Sequence, residues 1–341
     1  MTDHLQLLAA ADPAPASRWP EGPLDDSAER HLQTLSTGGW RPPSAAVRRR
    51  RSTRRALFSA AAAGIAAALV VVASGGSGVP APPTPVAVQP VAAPAPLAVD
   101  PGAPVPSLAE LASAAAERAA GSPPSAVRGS HVRAWYLGFG AKGEEFPAVV
   151  LPEERLSVPR ADGGLTVTRV PADPSRPAEV RLDADRPAPD GAEVSAVSAA
   201  ELVQEPVDRK PPPADPAALA AHLAAVWSPA PPDPAGMVTA LEWVLGRWTP
   251  GPAENAAIAG WLAQLPELTA LGAVTDRLGR SGVAYALDAT PGESSPDTRR
   301  TVVLDPDTGA VLSIELSFLA DTGEWDVEPY AVMSYVAYGV G

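Results

Sequence analysis

The sequence predicts an α+β domain, an antiparallel sheet covered by helices, joined through a proline-rich stalk to a single membrane-spanning helix. Three observations predict this arrangement. Residues 56–73 form an uncharged, proline-free apolar run that directly follows a cluster of arginines. Residues 75–106 alternate Pro with Ala and Val and have no helical or strand period. Residues 107–341 contain helix-like periods and then strand-like segments with Asp- and Gly-containing turns, a grouping typical of α+β folds.

The apolar run is long enough to cross a bilayer. As a helix it would measure roughly 27 Å, against a hydrocarbon core of about 30 Å. We expect a transmembrane helix over residues 56–74, made apolar mainly by Ala56, Leu57, Phe58, Ile65, Leu69, Val70, Val71 and Val72. The preceding basic residues are Arg48, Arg49, Arg50, Arg51, Arg54 and Arg55. Because basic flanks stay in the cytoplasm, we expect a cytoplasmic N-terminus and an extracytoplasmic C-terminal domain at the cell membrane.

The same segment also resembles a twin-arginine export signal, which leaves a second interpretation open. Arg54 and Arg55 precede the apolar run, and Val71-Val72-Ala73 resembles a small-residue cleavage site. Cleavage there would release the domain from the membrane. Signal peptides seldom begin with 50 residues of mixed acidic and basic sequence, so we favour a retained single-pass anchor.

Charge and composition exclude several classes of function. The net charge of −13 is unevenly distributed: residues 1–55 contain nine Arg against six acidic residues, and residues 75–341 contain 17 basic against 33 acidic residues. The exported part therefore lacks the basic face that contacts to nucleic-acid phosphates require, so we expect no nucleic-acid partner. With no cysteine in the chain, disulfides, thiolate metal sites, cysteine nucleophiles and a lipidated cysteine are excluded.

The segments on either side of the span have little capacity to fold alone. Residues 1–55 contain two short helix-forming pieces, and isolated helices of this length are marginal in water. We therefore predict a mostly disordered cytoplasmic arm, with docking to a cytoplasmic protein as the functional alternative. Residues 75–106 are predicted to form an extended polyproline II stalk that reaches roughly 90 to 100 Å.

Helix signals in the exported domain begin with Ser107 and Glu110, which have the spacing of a capping box. Further helices are predicted from Asp215-Pro216 to Trp227, over Gly236–Trp248 and over Pro252–Leu265, and residues 172–213 are predicted to be an irregular insertion. The predicted strands are His131–Phe139, Ala148–Val158, Leu165–Val170, Leu268–Thr275, Gly282–Leu287, Arg300–Leu304, Val311–Leu319 and Trp325–Tyr338. The turn sequences DRLGRSG, DPDTG and DTG supply Asp and Gly for tight turns.

Aromatic residues are the candidate ligand contacts. Trp227, Trp243, Trp248 and Trp261 are placed on predicted amphipathic helices, and Trp135 is placed on a predicted strand. They are interpreted either as aromatics that face a ligand or as core residues, the commoner role of tryptophan on such helices.

Catalytic and metal-binding motifs are not found in the sequence. Asp305 to Gly309 begins like a calcium loop, but Leu316 stands where the bidentate acid belongs, which indicates a hairpin turn. His131 and His222 accompany neither a G-x-S-x-G nor an H-E-x-x-H motif. Glu144-Glu145 and Glu153-Glu154 are interpreted as loop and strand-edge residues that favour solubility, with a cation site as the alternative. We expect a non-enzymatic protein without catalytic residues, cofactor or metal.

Several stretches together resemble a known family. These are the LLAAADP start, the arginine-flanked span, the proline stalk, and LPELTALGAVTDRLGRSGVAYAL (Leu265–Leu287) with DPDTGAVLSIEL (Asp305–Leu316). They resemble an uncharacterised actinobacterial family of single-pass membrane proteins that are commonly encoded beside extracytoplasmic-function sigma factors. The resemblance implies a sensor or regulator linked to such a sigma factor, with residues 1–55 contacting the sigma factor or its regulator.

The late hairpins also resemble the open antiparallel half-barrels of lipoprotein-carrier and sigma-factor-regulating periplasmic proteins. This likeness implies an open half-barrel covered by helices. It also implies the alternative function, a cell-envelope carrier or binding protein for an apolar ligand such as a lipid or peptide.

Overall fold

One ten-stranded antiparallel sheet is the framework of the fold. The computed structural model describes residues 94–138, 149–172, 179–227, 233–290, 296–323 and 325–340. The predicted cytoplasmic arm, the predicted span and residues 75–93 of the predicted stalk lie outside the described residues. Among the described residues no helix has the length and apolarity needed to cross a membrane.

The strands are β1 (Val99–Asp100), β2 (Val127–Arg128), β3 (Ser130–Gly138), β4 (Val149–Pro159), β5 (Leu165–Pro171), β6 (Glu193–Val197), β7 (Trp248–Thr249), β8 (Thr269–Thr275), β9 (Ser281–Ala289), β10 (Thr298–Leu304), β11 (Val311–Phe318) and β12 (Val332–Tyr338). The large sheet has the order β1-β8-β9-β10-β11-β12-β3-β4-β5-β6, and β2 pairs separately with β7. Every neighbouring pair is antiparallel.

The helices are α1 (Leu108–Ala119), α2 (Ala199–Leu202), α3 (Pro206–Arg209), α4 (Pro216–Val226), α5 (Pro234–Leu245) and α6 (Pro252–Leu262). Their starts follow local capping chemistry. Ser107 and Glu110 form the predicted capping box of α1. Asp215 accepts a hydrogen bond of 2.8 Å from the amide of Ala218 at the start of α4, with Pro216 in the first turn.

The hydrophobic core lies between the helices and one face of the sheet, which we call the helix-side face. Its largest fully buried helical side chains are Leu111, Leu219, Leu223, Leu241, Ile258 and Leu262. Along β3, Val132 and Ala134 point into this core, whereas Trp135 and Leu137 belong to a separate cluster on the opposite, outer face. The alternation follows from the two-residue period of a strand. A large antiparallel sheet with helices on one face confirms the predicted α+β class.

Local turn chemistry also matches the predictions. The Asp305 carboxylate accepts hydrogen bonds from the amides of Asp307 (2.7 Å) and Thr308 (2.9 Å), and Gly309 has φ +70° in the hairpin between β10 and β11. The Asp276 carboxylate accepts from Leu278 and Arg280, with φ +83° at Gly279. Both turns use Asp to bind backbone amides and Gly for the left-handed conformation.

Two predicted boundaries need correction. The predicted stalk extends to Pro106, but Val99 and Asp100 already form strand β1, because the apolar side chains of Leu97 and Val99 pack against the sheet. The predicted strand Trp325–Tyr338 begins only at Val332. Tyr330 has φ +64°, which is incompatible with an extended strand and delays its start.

The predicted irregular insertion and one predicted helix also differ from the structure. Residues 172–213 contain strand β6 and the short helices α2 and α3. Ser198 and Glu201 make a capping box there, a local signal that the surrounding prolines obscured. The helix predicted over Gly236–Trp248 ends at Leu245, and Trp248 instead lies in β7, where its indole donates a 2.9 Å hydrogen bond to the Val207 carbonyl.

Gly309→Ala is expected to destabilise the protein more than Gly279→Ala. Both glycines have positive φ, which costs an alanine about 1 kcal/mol. At Gly309 an added Cβ would also lie 2.8 Å from Cβ of Ala115 on α1 and 3.2 Å from Cβ of Ala259 on α6, whereas at Gly279 it would meet nothing within 4 Å. Overpacking should add about 1 to 3 kcal/mol at Gly309 only. Urea unfolding of both variants measures the difference in their free energies of unfolding. Equal losses of stability would contradict the overpacking at Gly309.

Candidate functional site

The candidate site is on the outer face of the sheet, where residues 94–106, which we call the stalk end, dock. Glu315 lies in the middle of β11 with only 2% of its surface exposed. Tyr335 of β12 is directly opposite Glu315, and Trp135 of β3 is directly opposite Tyr335. The two rings stack at 24° with centroids 6.4 Å apart. A buried carboxylate thus lies at one end of an aromatic row.

Arg277, in the turn between β8 and β9, supplies the charge partner of Glu315. Its Nε donates a 3.1 Å hydrogen bond to Oε2 of Glu315, and its Nη2 donates to the same oxygen. The guanidinium carbon lies 5.3 Å from the ring centroid of Trp135 and 5.4 Å from that of Tyr335, within cation–π range. The free-energy cost of removing the Arg277 guanidinium from water is therefore offset by its ion pair with Glu315 and by the two aromatic rings.

The turn that carries Arg277 is itself held in place. Arg280 donates through Nε to Oδ2 of the buried Asp276 at 2.8 Å. Its other nitrogens donate to the carbonyls of Tyr338 and Leu312, both at 2.6 Å. The amide of Arg277 donates to the Tyr335 hydroxyl at 3.2 Å. These bonds fix the position of Arg277 before any partner binds, which is how a site avoids ordering costs.

Backbone groups of the stalk end bind directly to this ion pair. The amide of Leu97 donates to Oε1 of Glu315 at 3.2 Å, and Nη2 of Arg277 donates to the carbonyl of Ala95 at 2.8 Å. Two residues later, β1 pairs with β8, with Val99 opposite Val274. Leu97 and Val99 pack into a small apolar cluster that includes Val274. The stalk end is thus attached by its backbone, independently of most of its side chains.

A glycine and a tyrosine accommodate the path of the stalk end around the sheet. Gly272 of β8 has φ +145°, and a Cβ at this position would lie 2.2 Å from the Asp100 carbonyl oxygen. Only glycine permits this approach of the two backbones. On the helix side, the hydroxyl of the buried Tyr285 donates a 2.8 Å hydrogen bond to the Pro106 carbonyl, directly before α1. The stalk end therefore passes from the outer face, around the β8 edge, to the helix side.

Burial makes the charge on Glu315 dependent on Arg277. Desolvation raises the pKa of Glu315 above its ordinary value, and the charge and hydrogen bonds of Arg277 oppose that rise. Burial likewise raises the pKa of Tyr335, so its hydroxyl remains protonated. The site consequently has one internal ion pair whose two members are each costly to leave alone.

A groove of about 290 Å³ remains between the stalk end and the sheet. Apolar side chains of Leu97, Val99, Leu271 and Leu319 form part of its lining, together with Arg299 and Tyr330. Tyr330 is half exposed and has φ +64°, a strained conformation for a residue other than glycine that is often found at functional positions. Arg299 forms a two-bond ion pair with Asp288, 2.7 Å for each bond.

A second polar contact on the outer face corrects the interpretation of Glu154 as a solubility residue. Its carboxylate is fully buried and accepts hydrogen bonds from His131 Nε2 (2.9 Å) and from the amides of Arg181 (2.9 Å) and Leu182 (2.8 Å). Burial opposes ionisation, but these hydrogen bonds outweigh it and lower the pKa of Glu154. Glu154 therefore attaches the segment around Leu182 to the sheet. Glu144 and Glu145 lie outside the described residues.

The tryptophans predicted as ligand-facing or core residues do not form one cluster. Trp135 is on the outer face beside Arg277, as described above. Trp227 and Trp243 contact each other on the helix side, with ring centroids 5.5 Å apart, and both are half-buried. Trp261 on α6 and Trp248 on β7 are buried in the main core. Of the predicted aromatics, only Trp135 belongs to the candidate site.

Other predicted residues have different positions. The predicted span residues and their arginine flank lie outside the described residues. His222 is on α4, where burial lowers its pKa, whereas His131 is on β3 and is bound to Glu154 on the outer face. Within the part of the chain that the structure describes, there is no group of three or more His, Cys, Asp or Glu residues that could hold a metal ion.

Arg277 and Glu315, the central pair of the site, are missing from the sequence-based prediction. Arg277 was contained in the DRLGRSG turn, whose Asp and Gly account for the turn without it. Glu315 is the one charged residue of the strand VLSIELSF, and an acidic residue among apolar residues and serines was the available signal. Comparison of the whole chain with protein-family models, with curated proteins and with solved structures finds no match.

Arg277→Gln is expected to loosen the stalk end without unfolding the domain. The substitution leaves Glu315 buried without its charge partner, which destabilises the docked stalk end by about 3 kcal/mol or more. Amide hydrogen exchange of residues 97–100 should then accelerate by about two orders of magnitude, while exchange in β12 remains slow. Arg299→Gln is the matched control, because its ion pair is on the same face but is solvent-exposed and contributes about 0 to 1 kcal/mol. Equal acceleration in both variants would contradict the role of Arg277.

Proposed function

We propose that this protein is a membrane-anchored, non-enzymatic sensor or regulator whose extracytoplasmic domain controls a cytoplasmic partner through the stalk. The observation that carries the proposal is the docking of the stalk end as a strand, with its backbone bound by Arg277 and Glu315. A protein that used its stalk only as a spacer would not require backbone contacts to a buried ion pair.

The proposed mechanism is a shift between a docked and an undocked stalk end. A ligand or partner that binds differently to the two states changes their populations by its difference in affinity. The groove beside Leu97 and Tyr330 places a binding surface directly against the stalk end. Occupation of this groove would therefore alter how the stalk leaves the domain, and the stalk connects the domain to the predicted span.

In the proposed topology, this shift acts on a partner in the cytoplasm. We propose that residues 56–74 cross the cell membrane with residues 1–55 in the cytoplasm, on the basis of the arginine flank and the acidic exported part. The resemblance to proteins encoded beside extracytoplasmic-function sigma factors supports a sigma factor, or its regulator, as the partner of residues 1–55. Retention of a cytoplasmic arm also favours a regulator, because a pure carrier would not require one.

The groove favours a second candidate function, an envelope carrier or binding protein for an apolar ligand. Its volume of about 290 Å³ lies near the lower end of the range of small-molecule sites. In this alternative the sheet acts as an open half-barrel, and the stalk only tethers it. The resemblance of the late hairpins to half-barrel carriers supports the same alternative.

The test is made with the full-length chain in its own cells. Strains carrying the wild type, Arg277→Gln, the matched control Arg118→Gln, or no copy of the protein are compared for transcription from promoters of the associated sigma factor. Arg118 makes an exposed ion pair on α1, away from the groove and the stalk end. Arg277→Gln should change transcription by about fivefold or more, the lower end of typical allosteric coupling, and Arg118→Gln should match the wild type.

Unchanged transcription in both the Arg277→Gln strain and the deletion strain would overturn the proposal. A stoichiometric lipid or peptide recovered with the purified wild-type chain, together with unchanged transcription, would establish the carrier alternative.

A further inference from the structure

A group of mostly buried polar side chains between α5 and the helix-side face of the sheet has more hydrogen-bond donors than acceptors. We call the place where they meet the arginine cleft and define it by Tyr136, Arg155, Glu242, Arg300 and Tyr338. Arg155 and Arg300 come from β4 and β10, Tyr136 and Tyr338 from β3 and β12, and Glu242 from α5. This face is opposite to the outer face on which the stalk end docks, and none of the five residues takes part in that docking.

Arg300 is only partly satisfied in the cleft. Its Nη2 donates a 2.7 Å hydrogen bond to the Thr239 hydroxyl on α5. Its Nε is buried without a hydrogen-bond partner and lies 3.9 Å from Oε1 of Glu242, too far for a hydrogen bond. Only 15% of the side chain remains exposed. A buried guanidinium with an open donor is costly unless another acceptor reaches it.

The guanidinium of Arg155 has even fewer hydrogen-bond partners than that of Arg300. Its closest charge partner is Glu153, at 3.6 Å, and its Nε is buried without a hydrogen-bond partner. Its guanidinium extends to the C-terminal end of α5, where Nη2 would lie 3.5 Å from a Cβ on Gly246. Thr239, Glu242 and Gly246 lie on one stripe of α5 at helical spacing, so Arg300 and Arg155 approach the same stripe within about two turns.

Tyr338 adds a further open donor beside Arg155. It is two strands away from Arg155 in the same row, and its buried hydroxyl has no hydrogen-bond partner. An anion placed among Arg155, Arg300 and Tyr338 would supply the missing acceptors.

We propose that the arginine cleft binds the oxyanion group of an amphipathic ligand, a carboxylate or phosphate attached to an apolar body. The planar fork of a guanidinium matches the oxygen spacing of both groups, and buried bonds of this kind are among the strongest hydrogen bonds in proteins. Leu151 is directly opposite Tyr136 on the same face and is 46% exposed, which provides an apolar contact beside the cleft.

Glu242 tunes the affinity of the cleft for such a ligand. Burial raises the pKa of Glu242 to about 7, with the charge of Arg300 opposing the rise. The carboxylate is therefore partly protonated near neutral pH and repels an incoming anion less than an ordinary glutamate would. The proposal does not depend on signalling through the stalk, because the arginine cleft and the docked stalk end are on opposite faces of the sheet.

The test uses the full chain in a neutral detergent and measures binding by calorimetry with four probes: acetate, inorganic phosphate, hexanoate and hexyl phosphate. Hexanol is the uncharged control. The wild type should bind hexanoate or hexyl phosphate more tightly than acetate or phosphate, and hexanol least. Arg155→Gln and Arg300→Gln should each weaken binding by about tenfold or more, and Glu242→Gln should strengthen it.

Matched variants separate binding from structure. Arg118→Gln makes the same charge change on the exposed surface of α1 and should bind like the wild type. Without ligand, Arg155→Gln should have a Tm equal to or higher than that of the wild type, because it removes a poorly paired buried charge. Absence of binding by all four anions, equal binding of hexanol, or wild-type affinity in Arg155→Gln would each overturn the proposal. Arg277→Gln should leave anion binding unchanged, so failure here is distinguishable from failure of the proposed function.

Discussion

The buried ion pair between Arg277 and Glu315 is the interaction on which the docking of the stalk end depends. Glu315 is 2% exposed, and its two oxygens are divided between Arg277 and the backbone amide of Leu97. Such pairs often contribute little net stability compared with apolar residues of equal size, but removing one partner is strongly destabilising. The pair therefore acts chiefly by fixing where the stalk end lies. Only when Ala95 and Leu97 lie over β11 can the Ala95 carbonyl accept from Arg277 and the Leu97 amide donate to Glu315.

Both faces of the central strand β11 are covered. All eight of its residues are buried, although Ile314 contacts the helices and Glu315 contacts the stalk end. From Ser313 to Phe318 polar and apolar residues alternate, the pattern of an antiparallel strand with one solvated face, yet the polar face of β11 is buried as well. On the outer face the second layer consists of the stalk end and the β8–β9 turn, neither of which is a regular layer. On the helix-side face, the same sheet carries the main core and, beyond it, the arginine cleft.

The parts of the fold that could be predicted from sequence are those with local causes. The capping box of Ser107 and Glu110 sets the start of α1, and the Asp and Gly residues of DRLGRSG and DPDTG set their turns within a few residues. The candidate site has no such local cause, since Arg277 and Glu315 are 38 positions apart and meet only through the pairing of four strands. Strand β1 was missed for a related reason: two residues in a proline-rich segment carry no strand period, and their partner β8 is far away in sequence.

The central claim is that the stalk end is a strand of the domain, in a fixed register with β8. The chain has no native cysteine, so a cysteine pair reports on this register directly. Val99→Cys with Val274→Cys places the two thiols directly opposite each other, at a Cα separation that a disulfide can bridge. Val99→Cys with Thr275→Cys is one residue out of register and directs the second thiol to the other face. Under mild oxidation of the full chain, the first pair should cross-link rapidly and the second should not. Equal cross-linking of the two pairs, or none in the first, would contradict the account.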